Sequence, residues 1–328
     1  MPRPLLRTLQ LAATLGLIAL LWHLADGGAA VRHLAGAEPV WLAAALLALT
    51  AQTVLSALRW RLTAARLGID LPARRALAEY YLAQLVNQSL PGGLIGDAGR
   101  ALRARAQAGL VASGQAVLFE RLAGQLGLLA LLAAAVVGTV VLPGGFTWPR
   151  WLLAPVALTV AACFVAALLL VAFRQRLPRR LGAGVARFAA AFRHAVTAPA
   201  VRRRQALTSL GTALCNVAAF ACCAAAVGVV LTPATALVLV PLILFTMLIP
   251  ATISGWGLRE GAAAALLPLA GASAAEGFAA GAAFGVAFLV ATLPGLAFLL
   301  GAAEVDRTTA AGGAARALGE QALGEQGP

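Results

Sequence analysis

Residues 87–100 read NQSLPGGLIGDAGR, which packs a proline, four glycines, an aspartate and an arginine into one short run. In a soluble protein such a run marks a surface loop. Here it is set in a chain of 328 residues that is 61% hydrophobic and 11% charged, with a mean hydropathy of +0.89. That balance lies far from the soluble range. Apolar runs close to the roughly 20 residues needed to cross a bilayer recur along the sequence. No alternating strand pattern of a membrane barrel is present. The chain therefore reads as an all-α, polytopic helical membrane protein, and the question becomes why some of its helices are broken.

Working outward from this stretch, about six full spans are expected near residues 5–24, 40–58, 120–142, 151–173, 206–231 and 278–300. Two shorter or interrupted apolar segments lie at 73–92 and 234–270. The first span follows Arg3 and Arg7 and exceeds the apolar length of a cleaved leader, so a retained anchor helix is expected. Residues 1–301 form one transmembrane domain on this reading, and 302–328 form a disordered cytoplasmic tail too short to fold alone.

All 25 basic residues are arginine, so a phosphate-binding loop that needs lysine and a lysine Schiff base are both excluded within this chain. The net charge of +13 follows positive-inside membrane topology rather than nucleic-acid binding. Arg3 and Arg7 precede the first span, Arg59, Arg61, Arg66, Arg74 and Arg75 follow the second, and a cluster fills 174–204. These segments, and both termini, are expected on the cytoplasmic side. The opposite loops, 25–39 and 143–150, carry few charges, and Trp41, Trp148 and Trp151 sit where an interfacial aromatic belt is expected.

The linker 174–204 places Leu181, Val185, Phe188, Phe192 and Val196 on one arc of a helix flanked by arginines, the pattern of an interfacial helix drawn to anionic lipid. Cys163, Cys215, Cys222 and Cys223 all fall inside apolar spans without metal-ligand spacing and read as packing residues. No metal or cofactor is expected.

In the segment 73–92, Tyr80, Gln84, Asn87 and Gln88 share one helical face, which at membrane depth must meet protein or water. Pro91, Gly92 and Gly93 end that helix, and the arginine-rich sequence after them sends the chain back, so 73–108 is expected to be a re-entrant hairpin. IPATISGWGLREG at 249–261 makes a second break. Two Gly/Pro-broken segments in corresponding halves point to inverted repeats with a binding site between them. Both breaks end in charge: Asp97 and Arg100 after the first, Arg259 and Glu260 after the second. Asp97 also occupies a helix N-cap position, and capping competes with function there. Arg259 and Glu260, about 100° apart on a helix, are expected to need separate partners. Glu120 and Arg121 read either as an interfacial pair or as a wall of the same cavity.

These residues resemble a known family, the transmembrane, flippase-like domain of bacterial lysylphosphatidylglycerol synthases. The resemblance rests on Arg59-Trp60; on Asn87 with Pro91-Gly92-Gly93, Gly96-Asp97 and Arg100; on Glu120-Arg121 with Gly124; and on Pro250, Ser254-Gly255, Gly257 and Arg259-Glu260. It spans residues 5–301 and implies a lipid translocator of the bacterial inner membrane, with Asn87, Pro91, Gly92, Gly93, Asp97, Arg100, Glu120, Arg121, Pro250, Ser254, Gly255, Gly257, Arg259 and Glu260 as the candidate residues of its cavity. The family's soluble synthase half follows its membrane region, and lipid aminoacylation is not expected of this chain. Membrane lipids are the implied partners, and the oligomeric state is open. Two other classes stay open on sequence alone: an integral-membrane enzyme using Asp97, Glu120 and Glu260, and a secondary transporter of a small solute.

Overall fold

Pro39 and Pro199 each open a helix of 28 residues, where the missing N–H and fixed φ of proline cost nothing. At 1.5 Å per residue each helix is about 42 Å long, ample for a hydrocarbon layer of about 30 Å. The computed structural model describes residues 3–90, 94–141, 148, 149, 151, 152, 156, 165, 179–249 and 251–298. Its long elements are α1 (Arg3–Leu24), α2 (Gly27–Ala35), α3 (Pro39–Arg66), α4 (Ala73–Ser89), α5 (Ile95–Val141), α6 (Arg179–Phe192), α7 (Pro199–Ala226), α8 (Pro233–Phe245), α9 (Leu258–Leu266) and α10 (Ala274–Thr292). No strand occurs among the described residues.

Helices α3 and α7 end alike. Leu67 and Ile69 donate to Ala64 and Gly68 to Ala65, while Val227 and Val229 donate to Ala224 and Gly228 to Ala225. Gly68 and Gly228 adopt φ of 80° and 94°, the left-handed conformation that such helix ends require. The two elements are related by an offset of 160 residues, as 39 to 199 and 68 to 228 show. They pack side by side in opposite directions. The Glu38 N–H donates to the Ala226 carbonyl at one end (2.9 Å), and Gln205 donates to Thr63 at the other (2.9 Å). Midway, Gly211 lies against Leu55 and lets the backbones approach. The halves are thus inverted copies of one plan.

Each half continues into a hairpin. In the first, α4 and the start of α5 run antiparallel, tied by Arg103–Glu79 (2.6 Å) and by Gln107 to the backbone of Asp70 (2.7 and 3.0 Å). The chain thus returns to the end it left. Gly109, at φ 80° and ψ 169°, then breaks the helix and lets the remainder of α5 run on as an apolar span. In the second half α8, α9 and α10 repeat this course from the opposite end, with α9 against α10 and α10 against α2. The two tips meet where Ser254 hydrogen-bonds Gln88.

Four described helices are long and apolar enough to cross a membrane: 39–66, 95–139, 199–226 and 274–298. A fifth span results if 10–24 and 27–35, bent by 91°, act as one. The protein is a multi-pass membrane protein. The expected span at 151–173, apart from Trp151, Leu152, Val156 and Val165, lies outside the described residues, as do Cys163 and the tail at 302–328.

Several expected boundaries move. The loop expected at 25–39 contains a helix, α2, capped by the Asp26 carboxylate on the Ala29 N–H. The span expected at 206–231 begins at Pro199, so Arg202, Arg203 and Arg204 ride on its exposed first turns. Glu276, which reads as a loop charge, lies in the first turn of α10 and forms a capping box with Ser273. In the linker, the aromatic face of α6 docks on α5, with Phe188 and Phe192 edge-on to Phe119 at 5.0 and 5.3 Å.

Candidate functional site

Within the first half the structure gathers charge that the apolar sequence keeps far apart. Arg59 comes from the last third of α3, Asp97 and Arg100 from the start of α5, and Glu120 and Arg121 from beyond its break. Arg59 donates to Glu120 Oε1 from Nη2 at 2.6 Å and from Nε at 3.2 Å. Arg100 reaches Glu120 Oε2 at 2.8 Å and Asp97 Oδ1 at 2.8 Å. Arg121 pairs with Asp97 Oδ2, which also accepts from Asn87 (3.2 Å), and Tyr80 donates to Glu120 Oε1 (3.2 Å). The Arg100 guanidinium lies between the faces of Trp60 and Tyr80, 4.8 and 4.6 Å from their ring centroids. Those rings exclude water while still stabilising a cation.

Each position has a local cause. Asn87, at the end of α4, accepts from the Gly96 N–H (2.8 Å) and so caps the helix that brings Asp97 in. Asp97 is thereby freed from capping and turns to the arginines. Gly124 leaves room for Arg59: a Cβ there would sit 2.8 Å from its Nη2. Glu120 is fully buried and Arg100 is 1% exposed, which is tolerable only because every charge is paired.

This network forms one wall of a cavity of about 270 Å³ at the meeting of the two hairpins. Arg59, Asp97, Glu120 and Arg121 line it, as do Asn87 and Ser254. Amides from four helices add to the polar part: Gln52 on α3, Gln84 and Gln88 on α4, Gln125 on α5 and Asn216 on α7. Thr53 donates to Gln84 (3.0 Å), Gln84 to Gln52 (3.3 Å) and Gln52 to Ser56 (3.3 Å), which orients this amide wall. Leu244, Leu248, Phe284 and Phe288 form the apolar side.

The second break is built differently. Arg259 and Glu260 pair with each other, contrary to the expectation of separate partners. The long arginine side chain folds back across its neighbour and also donates to the Gly281 carbonyl (3.0 Å), and Glu260 accepts from the Gly257 N–H (2.6 Å). Trp256 and Phe284 cover the guanidinium. Neither residue lines the cavity; they lock the turn beside it. Gly255 and Gly257, at φ 77° and 87°, supply backbone conformations closed to most other residues, and Ser254 shares the left-handed region at φ 49°. Pro91, Gly92, Gly93 and Pro250 lie outside the described residues.

Arg59 also departs from expectation. As one of a row of basic residues it reads as a cytoplasmic anchor, yet it is 3% exposed and bound to Glu120. Its spacing from Arg61 and Arg66 hides this, because only its α3 face distinguishes it. The amides of α3 and α7, Gln52 and Asn216, were legible only as polar interruptions of apolar spans.

A sequence model of the lysylphosphatidylglycerol synthase transmembrane region matches residues 7–295, a range that includes every element of the cavity. No curated protein and no solved structure matches the chain.

Proposed function

The chain belongs to the lysylphosphatidylglycerol synthase transmembrane-region family, and from that premise we propose that it is a lipid translocase. The observation that carries this reading is the polar cavity where two inverted hairpins meet, walled by ion pairs on one side and by apolar side chains on the other. A lipid presents the same division: a charged head group joined to hydrocarbon tails. A groove of this kind lowers the cost of carrying the head group through hydrocarbon while the tails stay in the bilayer. The end of the bundle that carries Arg61, Arg66, Arg74, Arg75 and Arg202–Arg204 faces the cytoplasm of a bacterial cell on this proposal. Exposed arginines there meet the anionic inner leaflet. An enzyme finds less support, since each oxygen of Asp97 and Glu120 already accepts from a guanidinium.

Reconstitution into liposomes with fluorescent phospholipids, followed by quenching from the outer side, tests the proposal. The parental protein is expected to abolish protection of inner-leaflet lipid. Gln84→Leu and Asn216→Leu, which change the cavity wall without touching an ion pair, are expected to slow exchange about tenfold or more. Parental rates in both correctly inserted variants would sink the site assignment, and no exchange of any lipid by the parent would sink the function.

A further inference from the structure

A second space lies outside the cavity, on the flank of the bundle where the end of α3 meets the start of α7. It is a groove of about 510 Å³ that shares no residue with the cavity wall. Arg61 on α3, Arg204 on α7 and Asp70 between α3 and α4 supply its charges, and Leu58, Leu62 and Leu207 its apolar side. The two helices run antiparallel, so one depth is reached from opposite directions. Arg61 stands five residues before the end of α3 and Arg204 five after the start of α7, each about 7.5 Å inside the helix end. Leu58 and Leu207 each lie about one turn further toward the middle of the pair, and both are exposed, at 39% and 61%. Basic side chains therefore stand at the level of a head group, and leucines at the level of an acyl chain.

Arg61 Nε donates to the Leu71 carbonyl (2.8 Å), which holds the guanidinium in place. Neither the Arg204 guanidinium nor the Asp70 carboxylate has a partner among the described residues. The fold does not call for this charge. The offset of 160 residues that relates the halves carries Arg61 to Ala221, Asp70 to Val230 and Arg204 back to Ala44, so the matching seam at the opposite end is apolar. A positive-inside bias accounts for arginines at this end. It does not account for two of them, from different helices, bordering one groove with exposed leucines.

We propose that this groove binds an anionic phospholipid of the leaflet at that end, its phosphate held by Arg61 and Arg204 and an acyl chain laid along Leu58, Leu62 and Leu207. Two guanidiniums against one carboxylate leave one positive charge, which a phosphodiester of one negative charge matches. Guanidinium and phosphate also suit each other in geometry. One arginine comes from each half, so the bound lipid ties the halves together at the end where Gln205 meets Thr63. The inference needs the chain to lie in a membrane and does not need it to move lipid.

Native mass spectrometry of the detergent-purified full chain, titrated with phosphatidylglycerol and with phosphatidylcholine of identical acyl chains, tests the site. The first phosphatidylglycerol is expected to bind roughly tenfold more tightly than phosphatidylcholine. Arg204→Gln alone is expected to reduce that preference at least about threefold, and Arg61→Gln combined with Arg204→Gln to abolish it. Arg202→Gln with Arg203→Gln, an equal loss of charge on exposed residues beside the groove, is expected to leave it intact. Asp70→Asn removes the groove's carboxylate and is expected to tighten phosphatidylglycerol further. Equal binding of the two lipids by the parent, or a preference that survives the double variant at Arg61 and Arg204, would overturn the inference. Loss of the preference in Gln84→Leu would assign the lipid to the cavity and overturn it too. Release of the lipid by millimolar inorganic phosphate would reveal an anion site without an acyl chain, with the same consequence. A parent that holds phosphatidylglycerol in this way yet exchanges no lipid in liposomes would uphold the groove and defeat the translocase reading instead.

Discussion

Glu120 is the residue on which the first half turns. It lies among apolar neighbours on a spanning helix, and it alone neutralises Arg59 while sharing Arg100 with Asp97. Removing one partner of a buried pair costs more than the pair itself contributes, because the remaining charge has no water to turn to. Glu120→Gln is therefore expected to cost about 3–5 kcal/mol, read as a large drop in thermal midpoint in detergent. Arg121→Gln, at the edge of the same network, is expected to cost less than about 1 kcal/mol. Equal effects of the two would mean that the network is more hydrated than its burial indicates. Arg259 belongs with Glu120 in this respect and not with the cavity. It is fully buried against Glu260, Gly281 and Trp256, so Arg259→Ala is a lesion of the fold before it is a lesion of recognition.

At the scale of elements, the hairpins are the parts that a membrane protein forms only with support. A helix of 13 residues such as α8 extends about 20 Å and cannot cross the bilayer alone. The arms hold each other by backbone proximity at glycine. A Cβ on Gly96 would collide with the Ala83 carbonyl across the first hairpin, and one on Gly277 with the Ala263 carbonyl at 2.5 Å in the second half. Gly96→Ala is accordingly expected to destabilise by about 1–3 kcal/mol through overpacking. Gly114→Ala meets nothing within 4 Å and is expected to be neutral or stabilising by up to about 1 kcal/mol. Thermal unfolding of the two variants side by side checks this, and a tolerant Gly96 would show that the arms can separate. The sequence announced these hairpins through their glycines, prolines and polar face. It did not announce that Gly109 would join the returning arm to the next span, since an isolated glycine in an apolar helix is common.

For the whole molecule, the antiparallel pairing of α3 and α7 makes the architecture two-fold in plan. The C-terminal ends of these helices lie at opposite ends of the bundle, since Glu38 meets Ala226 and Thr63 meets Gln205. Cysteines placed at Arg66 and at Val230, in a background free of native cysteine, are thus expected to react with an impermeant thiol reagent from opposite faces of sealed vesicles. Labelling from one common face would contradict the inverted arrangement. The chemistry breaks the symmetry that the backbone keeps. The first half contributes the open cluster of arginines and carboxylates, whereas the second contributes a closed Arg259–Glu260 pair and apolar walls. One cavity results from two similar hairpins because their tips meet, with Ser254 hydrogen-bonded to Gln88.

Composition and local pattern were enough to determine that the chain is helical, that it lies in a membrane, where its helices break, and which charges flank the breaks. These properties depend on neighbours within a few residues: hydrophobic run length, the missing N–H of proline, the conformational freedom of glycine. Partner choice could not be read in the same way. Whether Arg59 is a surface anchor or the counter-ion of Glu120, and whether Arg259 faces the cavity or its own neighbour, depends on residues up to 61 positions away and on which helix faces meet. Arginine has a long side chain whose charge is stable wherever a carboxylate can be brought to it, so its position in the sequence leaves its partner open. The packing of α3 against α5 and α7 decided that partner.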